Sequence, residues 1–362
     1  MPHDDGDILA DLRPDPAEFL HAAMRWHFGP ETGSPFWLER AGKLGFDPIT
    51  DVRRYEDLAR FPNITRELRH VPAEQLVPRG YGGVGELVGM FETGGTVGVP
   101  KRIPYFEDWA RQNLAWTHAH LDAQGVPRGV HWLSTAPTGP HGVGHFARRQ
   151  AAERGGICFT IDVDPRWVKK LIARDSPETE AYLDHLVLQI TQLLTSQNIG
   201  VLMITPPLLE RLTREPRLLE LVRRKVRAIV WVGTHMDAAT RRRYRTEVFP
   251  GIVLHGTYGN TMILGANDER PGLGPDDPCV FDANAPFVSL HVVDPETGAA
   301  VEYGQRGQVL MNHVSKSAFL PNNLERDTAI RMKPPAGRVG DSVADVMPVH
   351  TFEDELVIEG VY

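Results

Sequence analysis

The sequence contains few cysteines and no long apolar run. Its two cysteines, Cys158 and Cys279, stand apart in apolar surroundings, and they suit neither a disulfide framework nor a cysteine-ligated metal cluster. No apolar run approaches the length that spans a bilayer, and the acidic start MPHDDGDILADL does not resemble a secretory signal. These absences predict a cytoplasmic protein that does not insert into membranes.

A net positive charge is also lacking. The formal net charge is −8, which disfavours general binding to nucleic acid. The basic runs at 223–225 and 241–243 lie in helix-like stretches with acidic neighbours, and we interpret them as solvated helix faces. Hydrophobic residues make up 41% of the 362 residues and charged residues 24%, as in ordinary soluble proteins with a substantial core.

Short apolar runs alternate with amphipathic stretches in the middle of the chain. The amphipathic stretches lie at 142–154, 178–197 and 237–247, and the apolar runs are HWLST (131–135), ICFTIDV (157–163), GVLMIT (200–205), AIVWVG (228–233) and GIVLHGT (251–257). Strands that are apolar throughout and alternate with helices indicate a parallel sheet covered on both faces. The sequence therefore predicts an α/β fold.

The two ends of the chain have other sequence patterns than the middle. Residues 15–75 look helical and are broken by prolines, whereas the segments after about 285 read as antiparallel strands of a small barrel or sheet. We expect a helical entry region at 1–75, an α/β core at 76–284 and a mainly β subdomain at 285–362.

The stretch FETGGTVGVPK (91–101) combines glycines, threonines, a proline and a lysine. It fits either a tight connection between strands or a cradle whose backbone N–H groups and hydroxyls surround a phosphate. Its spacing matches neither the Walker A loop nor the G-x-G-x-x-G dinucleotide fingerprint. A phosphate bound here would need a different kind of loop.

Other motifs follow this loop in a recognisable order. They are PTGPHGVG (137–144), WVGTHMD (231–237), TYGNT (257–261) with Gly265 after it, and GRVGD (337–341). Together with TGGTVGVPK (93–101) this series resembles the adenylate-forming superfamily of acyl-CoA ligases, luciferases and peptide-synthetase adenylation domains. The segment SPFWLERAGKLGFDPITDVRRYEDLARFP (34–62) is similar to the entry of phenylacetate–CoA ligases. A closer likeness is to short ligase-like proteins of phenazine antibiotic biosynthesis.

The resemblance implies the large N-terminal domain of these enzymes, with helix-flanked, mostly parallel sheets and a small β-barrel-like subdomain. It implies ATP-dependent conversion of a carboxylic acid to acyl-AMP and pyrophosphate, with ATP or AMP and nucleotide-bound Mg²⁺ as cofactors. The implied phosphate-loop residues are Thr93, Gly94, Gly95, Thr96, Gly98 and Lys101. The implied nucleotide contacts are Gly233, Thr257, Tyr258, Gly259, Thr261 and Asp341.

The resemblance also implies two candidate catalytic residues, Lys101 and His141. His141 would form a wall of the acyl pocket. Considered singly, Asp341 also fits an ordinary turn, Tyr258 a core position and His141 a structural role. A metal site at His141 and His145 is disfavoured, because glycines lie between them and no H-E-x-x-H glutamate is present. We therefore predict no protein metal site.

The sequence departs from the family pattern at the loop and after TYGNT. Gly94 and Val97 stand where hydroxyl residues are usual, and Met262 stands where Y-G-x-T-E has its Mg²⁺-binding glutamate. The chain also ends about twenty residues after Asp341, so we expect the mobile C-terminal domain to be absent. Thioester formation with coenzyme A by this chain alone is then not expected.

These departures leave three interpretations. The favoured one is adenylation of an aromatic carboxylic acid in specialised metabolism, with a phenazine carboxylate among the candidates and transfer of the acyl-AMP to a partner reductase or acyltransferase. The second is a degenerate ligase-like protein that binds an aromatic acid or nucleotide without catalysis. The third is a piece of a longer ligase. A homodimer is expected from the phenylacetate–CoA ligase likeness, and Trp132, Phe146, His235 and His255 fit either an aromatic pocket or the core.

Overall fold

The computed structural model describes residues 5–94, 99–349, 351–352 and 355–356. Its α-helices are α1 (Asp5–Ala10), α2 (Pro16–Phe28), α3 (Pro35–Ala41), α4 (Pro48–Asp51), α5 (Glu107–Ala123), α6 (Gly142–Glu153), α7 (Pro165–Ala173), α8 (Glu178–Ser196), α9 (Pro206–Thr213), α10 (Pro216–Lys225) and α11 (Ala238–Arg243). Short 3-10 helices lie at Tyr55–Arg60, Glu67–Arg69, Ala73–Leu76 and Arg79–Tyr81, and a π-helical turn at Tyr244–Val248 continues α11.

The strands begin with a separate hairpin, which consists of β1 (Leu87–Glu92) and β2 (Arg102–Phe106). The strands of the main sheet are β3 (His131–Ser134), β4 (Cys158–Thr160), β5 (Ile199–Ile204), β6 (Ala228–Trp231), β7 (Val253–Tyr258), β8 (Asn267–Glu269), β9 (Val280–Asp282), β10 (Val288–Val293), β11 (Arg306–Val314), β12 (Phe319–Met332) and β13 (Ser342–Pro348). Two short strands, β14 (Thr351–Phe352) and β15 (Glu355–Leu356), form a second hairpin.

Five neighbouring strands of the main sheet run parallel. They follow one another in the order β7-β6-β5-β3-β4, and each contains part of one of the five apolar runs. Helices α6 to α11 lie between these strands in the chain, as the strand–helix alternation requires. The predicted parallel sheet is confirmed.

Alternate residues of these strands face two separate cores. On β5, Leu202 and Ile204 belong to a large core that includes residues of α8, α9 and α10, whereas Val201 and Met203 belong to a smaller core with residues of α5 and α6. A strand covered on both faces has no solvent-facing positions, which explains why these runs are apolar throughout. The prediction that both faces are covered is confirmed.

From β7 onward the same sheet becomes antiparallel. Strands β8 and β9 follow β7, β13 pairs with β9, and β12, β11 and β10 complete the order. The β-rich part of the chain thus extends the parallel sheet instead of forming a separate layer. The three-part division predicted above stays a prediction.

The proline-broken helices of the N-terminal part pack against the connection between β11 and β12. The indole of Trp26 donates to the carbonyl of Lys316 at 2.9 Å, and the indole of Trp37 donates to the carbonyl of Phe319 at 2.8 Å. The rings of Trp37 and Phe61 pack against Phe319.

Among the described residues, no helix has the length and apolarity needed to cross a membrane.

Candidate active site

The main cavity lies where the parallel strands end. It has a volume of about 320 Å³, and its walls include Pro137 beyond β3, Thr205 beyond β5, Gly233 beyond β6 and Gly259 beyond β7. Ligands of open α/β sheets bind outside the carboxyl ends of the strands. The cavity therefore lies where this architecture predicts a binding site.

The glycine-rich loop joins β1 to β2 and opens into this cavity. Thr93, Gly94 and Lys101 line it. The Thr93 amide donates to the carbonyl of Lys101 at 3.0 Å, and the Lys101 amide donates to Thr93 Oγ1 at 3.0 Å. These two bonds close the base of the loop. Gly95, Thr96 and Gly98 lie outside the described residues.

Glu92, at the start of the loop, is held by charged neighbours. Its carboxylate pairs with Arg102 at 2.9 Å and with Arg166 of α7. Burial by itself would raise the pKa of Glu92, but hydrogen bonds and charge from the two arginines hold it below its usual value. The Thr261 hydroxyl donates to the carbonyl of Glu92 at 3.1 Å. This bond ties the TYGNT motif to the base of the glycine-rich loop.

His141 lies in the wall of the main cavity. It is the N-cap residue of α6 and is buried. Burial, followed by the nearby charge of Arg166, lowers the pKa of its imidazole. A neutral imidazole near pH 7 offers one hydrogen-bond donor and one acceptor. His145, one turn later, does not line this cavity, and its ring packs against Phe91.

A second cavity of about 130 Å³ adjoins the first and shares lining residues with it. Thr257, Gly233 and Gly259 line both cavities, whereas Tyr258 lines the second and Thr261 the first. A side chain at Gly259 would clash, because an added Cβ would lie 2.1 Å from the carbonyl oxygen of Gly265. The predicted nucleotide residues of TYGNT and Gly233 therefore meet around one site.

Asp341 lies elsewhere. It lines neither of the two cavities, and its buried carboxylate accepts from Arg331 Nε at 2.9 Å and from the Val292 amide at 3.2 Å. Both carboxylate oxygens are thus bonded within the sheet. The structure does not bring Asp341 to the cavities that the other predicted nucleotide residues line, because it connects the start of β13 to β10 and β12.

Asp327 of β12 lines the second cavity, as do the carboxylates Glu325 and Asp345. Asp327 Oδ2 accepts from the Tyr258 hydroxyl at 3.0 Å, and both residues line that cavity. Burial, followed by the charge of Asp327, raises the pKa of Tyr258 above its usual value, so the phenol stays protonated. The run Glu325-Arg326-Asp327 was not singled out from the sequence, although three charged residues inside a strand were a visible signal.

Three other charged residues missed from the sequence line both cavities, namely Lys169, Glu325 and Arg326. Burial, followed by the charge of Arg326, lowers the pKa of Lys169 to about 8. Burial and the charge of Asp327 raise the pKa of Glu325 to about 7, against the opposing effect of Lys101. Two cations and a carboxylate thus lie on the wall that the two cavities share.

Another part of the main cavity is mostly apolar and is lined by residues of the sheet and of helices α5 and α6. Its apolar walls include Leu121, Val143, Phe146, Met203 and Val230. Met262, which stands where the resemblance leads us to expect a glutamate, is only 3% exposed and lines the same cavity.

The other aromatic candidates have different surroundings. Trp132 is buried in the smaller core, His255 is buried and paired with Asp268 at 2.9 Å, and His235 lines the second cavity. Within the described part of the chain, no group of three or more His, Cys, Asp or Glu side chains could hold a metal ion.

No protein-family model and no curated protein matches this sequence. Solved structures do match. A crystal structure of 2-hydroxyisobutyryl-CoA ligase in the postadenylation state, in complex with R3-HIB-AMP, has a TM-score of 0.61 at 16% sequence identity, and the match covers 98% of this chain and 70% of that chain. An open conformation of that ligase, in complex with 2-HIB-AMP and CoA, has a TM-score of 0.59 at 17% sequence identity. This match covers 94% of this chain and 78% of that chain. The predicted α/β architecture is confirmed, because the chain has the fold of these ligase structures.

Proposed function

We propose that this chain catalyses ATP-dependent adenylation of an aromatic carboxylic acid, which yields acyl-AMP and pyrophosphate. The observation that carries the proposal is the pair of adjoining cavities with a shared charged wall. With the acid in the main cavity and the nucleoside in the second, the carboxylate and the α-phosphate meet beside Lys169 and Arg326. The glycine-rich loop opens into the same space at Thr93 and Gly94.

The chemical step follows from this arrangement. A carboxylate oxygen attacks the α-phosphorus, and the bond from that phosphorus to the oxygen bridging to the β-phosphorus breaks. Pyrophosphate leaves with the bonding electron pair, and no proton transfer is needed. The reacting groups are both anionic, so the site must position them and offset their repulsion. Lys101, Lys169 and Arg326 supply positive charge at this place.

The nucleotide contacts are assigned in the same way. We assign the β- and γ-phosphates to the loop, where Thr93, Gly94 and Lys101 are joined by Gly95, Thr96 and Gly98. Tyr258 would pack against the base, with Gly233, Thr257, Gly259 and Thr261 forming the backbone walls. Asp327 would accept hydrogen bonds from the ribose hydroxyls, which an ionised carboxylate with paired acceptor oxygens suits.

Mg²⁺ fits the described residues only as an ion bound mainly through the nucleotide phosphates. Mg²⁺ in such sites keeps several waters and uses one or two protein carboxylates. The buried thioether of Met262 is a poor ligand for it, whereas Glu325 lines both cavities and offers a carboxylate. Mg²⁺ would neutralise charge on the phosphates when bound, and Glu325 would help to hold it.

The acid itself would lie between His141 and the apolar walls of the main cavity. The neutral imidazole of His141 can donate to or accept from the acid without adding charge to a buried pocket. We further propose a role in specialised metabolism, with a phenazine carboxylate as one candidate acid. The acyl-AMP would pass to a partner reductase or acyltransferase.

A second function is favoured by one specific observation. Met262 occupies the place of the glutamate that the family uses for Mg²⁺, which suits a protein that binds an acid or nucleotide without chemistry. The test is to incubate the chain with ATP, Mg²⁺ and a panel of aromatic acids, and to measure pyrophosphate release and the hydroxamate formed when hydroxylamine traps acyl-AMP. Acid-dependent pyrophosphate release supports adenylation. Binding of acid and ATP without release would instead support the binding protein.

A further inference from the structure

The deep end of the main cavity contains a polar side chain that the proposed reaction does not use. This is Gln150, in the last turn of α6. His141 begins the same helix at the charged end of the cavity, nine residues earlier. At 1.5 Å per residue, Gln150 therefore lies about 13 Å further along the helix axis.

Its surroundings are apolar. Leu121, Met203 and Val230 line the cavity and belong to the smaller core between the sheet and helices α5 and α6. Phe146 lies one turn before Gln150 on the same helix and lines the cavity as well. A ligand that reaches this end must be largely apolar, because most of the lining residues that α5, α6, β5 and β6 contribute are apolar.

The Gln150 side chain makes no hydrogen bond within the described part of the chain, although the residue is only 7% exposed and lines the cavity. The two other polar side chains in this part of the cavity are already bonded. Asn113 donates to the carbonyl of Trp109 at 2.9 Å, and Thr117 donates to Asp268 at 3.4 Å. The carboxamide faces the cavity, where a ligand or water can satisfy its donor and acceptor.

We infer that the acid bound by this chain carries a neutral hydrogen-bonding group at the end remote from its carboxylate, an inference that rests on the proposed function. The Gln150 carboxamide selects this group. Hydroxyl, carboxamide, ether and ring-nitrogen groups belong to this class. A charged remote group is excluded, because the lining residues that α5, α6, β5 and β6 contribute include no charged side chain that could pair with it.

The experiment compares acids that differ only in the remote group. The pairs are cinnamate with para-hydroxycinnamate, and biphenyl-para-carboxylate with its para′-hydroxy derivative, so that two body lengths are covered. Calorimetry on the wild type should show tighter binding of the hydroxylated member of the better-fitting pair, on the order of tenfold. Gln150→Leu should abolish or reverse that preference.

A matched control is available on the neighbouring helix. Gln112 of α5 is also buried, but its carboxamide donates to the carbonyl of Leu9 at 3.0 Å and it does not line the cavity. Gln112→Leu should lower the melting temperature of the ligand-free protein and keep the preference for the hydroxylated acid. Gln150→Leu should leave the melting temperature unchanged or raise it, because no internal hydrogen bond is lost.

The inference is overturned if the wild type binds both members of the pairs equally, or if Gln150→Leu keeps the preference. It is also overturned if Gln150→Leu lowers the melting temperature as much as Gln112→Leu, a result that decides the matter even when neither acid pair binds. Pyrophosphate release separates the two claims. Equal release from both members contradicts the inference but supports adenylation, whereas selective binding without release supports the inference and contradicts adenylation.

Discussion

The hydroxyl of Tyr258 donates a hydrogen bond to Oδ2 of Asp327 at 3.0 Å, and both side chains line the second cavity. The bond joins the end of β7 to the middle of β12, two strands that are not neighbours in the sheet. Asp341, by contrast, is bonded to Arg331 and lines neither cavity. We therefore assign the ribose hydroxyls to Asp327 and not to Asp341.

We expect Asp327→Asn to weaken ATP binding by about tenfold or more, because a neutral amide accepts the ribose hydroxyls less strongly than a carboxylate. Isothermal calorimetry with ATP would measure this. Asp341→Asn is the matched control, and it should keep ATP affinity while lowering the melting temperature, since it weakens the ion pair with Arg331. Loss of ATP affinity in Asp341→Asn with retention in Asp327→Asn would reverse the assignment.

Lys169→Met should reduce kcat/KM for adenylation by about a hundredfold, the effect of removing one positioned charge from a transferring phosphoryl group. Lys169 is 7% exposed and lines both cavities. The adjacent, exposed Lys170 provides the control, because it lines neither cavity and Lys170→Met should behave like the wild type. Equal rates in the two variants would show that Lys169 has no part in the reaction.

The pH dependence of kcat/KM should reflect the two titrating groups on the shared wall. Glu325 becomes ionised as the pH rises through about 7, and Lys169 loses its proton as the pH rises through about 8. If the carboxylate and the ammonium are the active forms, the rate rises through the first value and falls through the second.

Two variants check this assignment. Lys169→Arg should remove the falling limb, because a guanidinium remains protonated in this range, and Glu325→Gln should remove the rising limb. The titration of ATP itself is common to all three proteins and cancels in the comparison. A falling limb that persists in Lys169→Arg would contradict the role of Lys169.

Met262→Glu should weaken binding of the acid and leave ATP affinity unchanged. Met262 is 3% exposed and lines the main cavity, so a glutamate there would bury a carboxylate beside the acid. Met262→Leu, which keeps an apolar side chain of similar size, should bind the acid nearly as well as the wild type. Faster pyrophosphate release by Met262→Glu at low Mg²⁺ would instead show that this position lacks only a metal ligand.

The parallel sheet could be predicted from the sequence because its signal is local. Each of the strands β3 to β7 is a short apolar run between amphipathic stretches, and burial on both faces of a sheet requires that pattern. TYGNT could be singled out for a related reason, since close approach of two backbone segments restricts which residues a position accepts. Gly259 illustrates this, because an added Cβ would lie 2.1 Å from the carbonyl oxygen of Gly265.

The charged wall of the site was decided by tertiary structure. Whether Asp327 or Asp341 faces the cavity depends on how β12 and β13 cross the end of β7, and spacing along the chain contains no information about that crossing. Lys169 and Gln150 lie on amphipathic helices, where a polar residue normally faces solvent. Both are buried here because helices α6 and α7 border a cavity, and only the packing of distant segments creates that cavity.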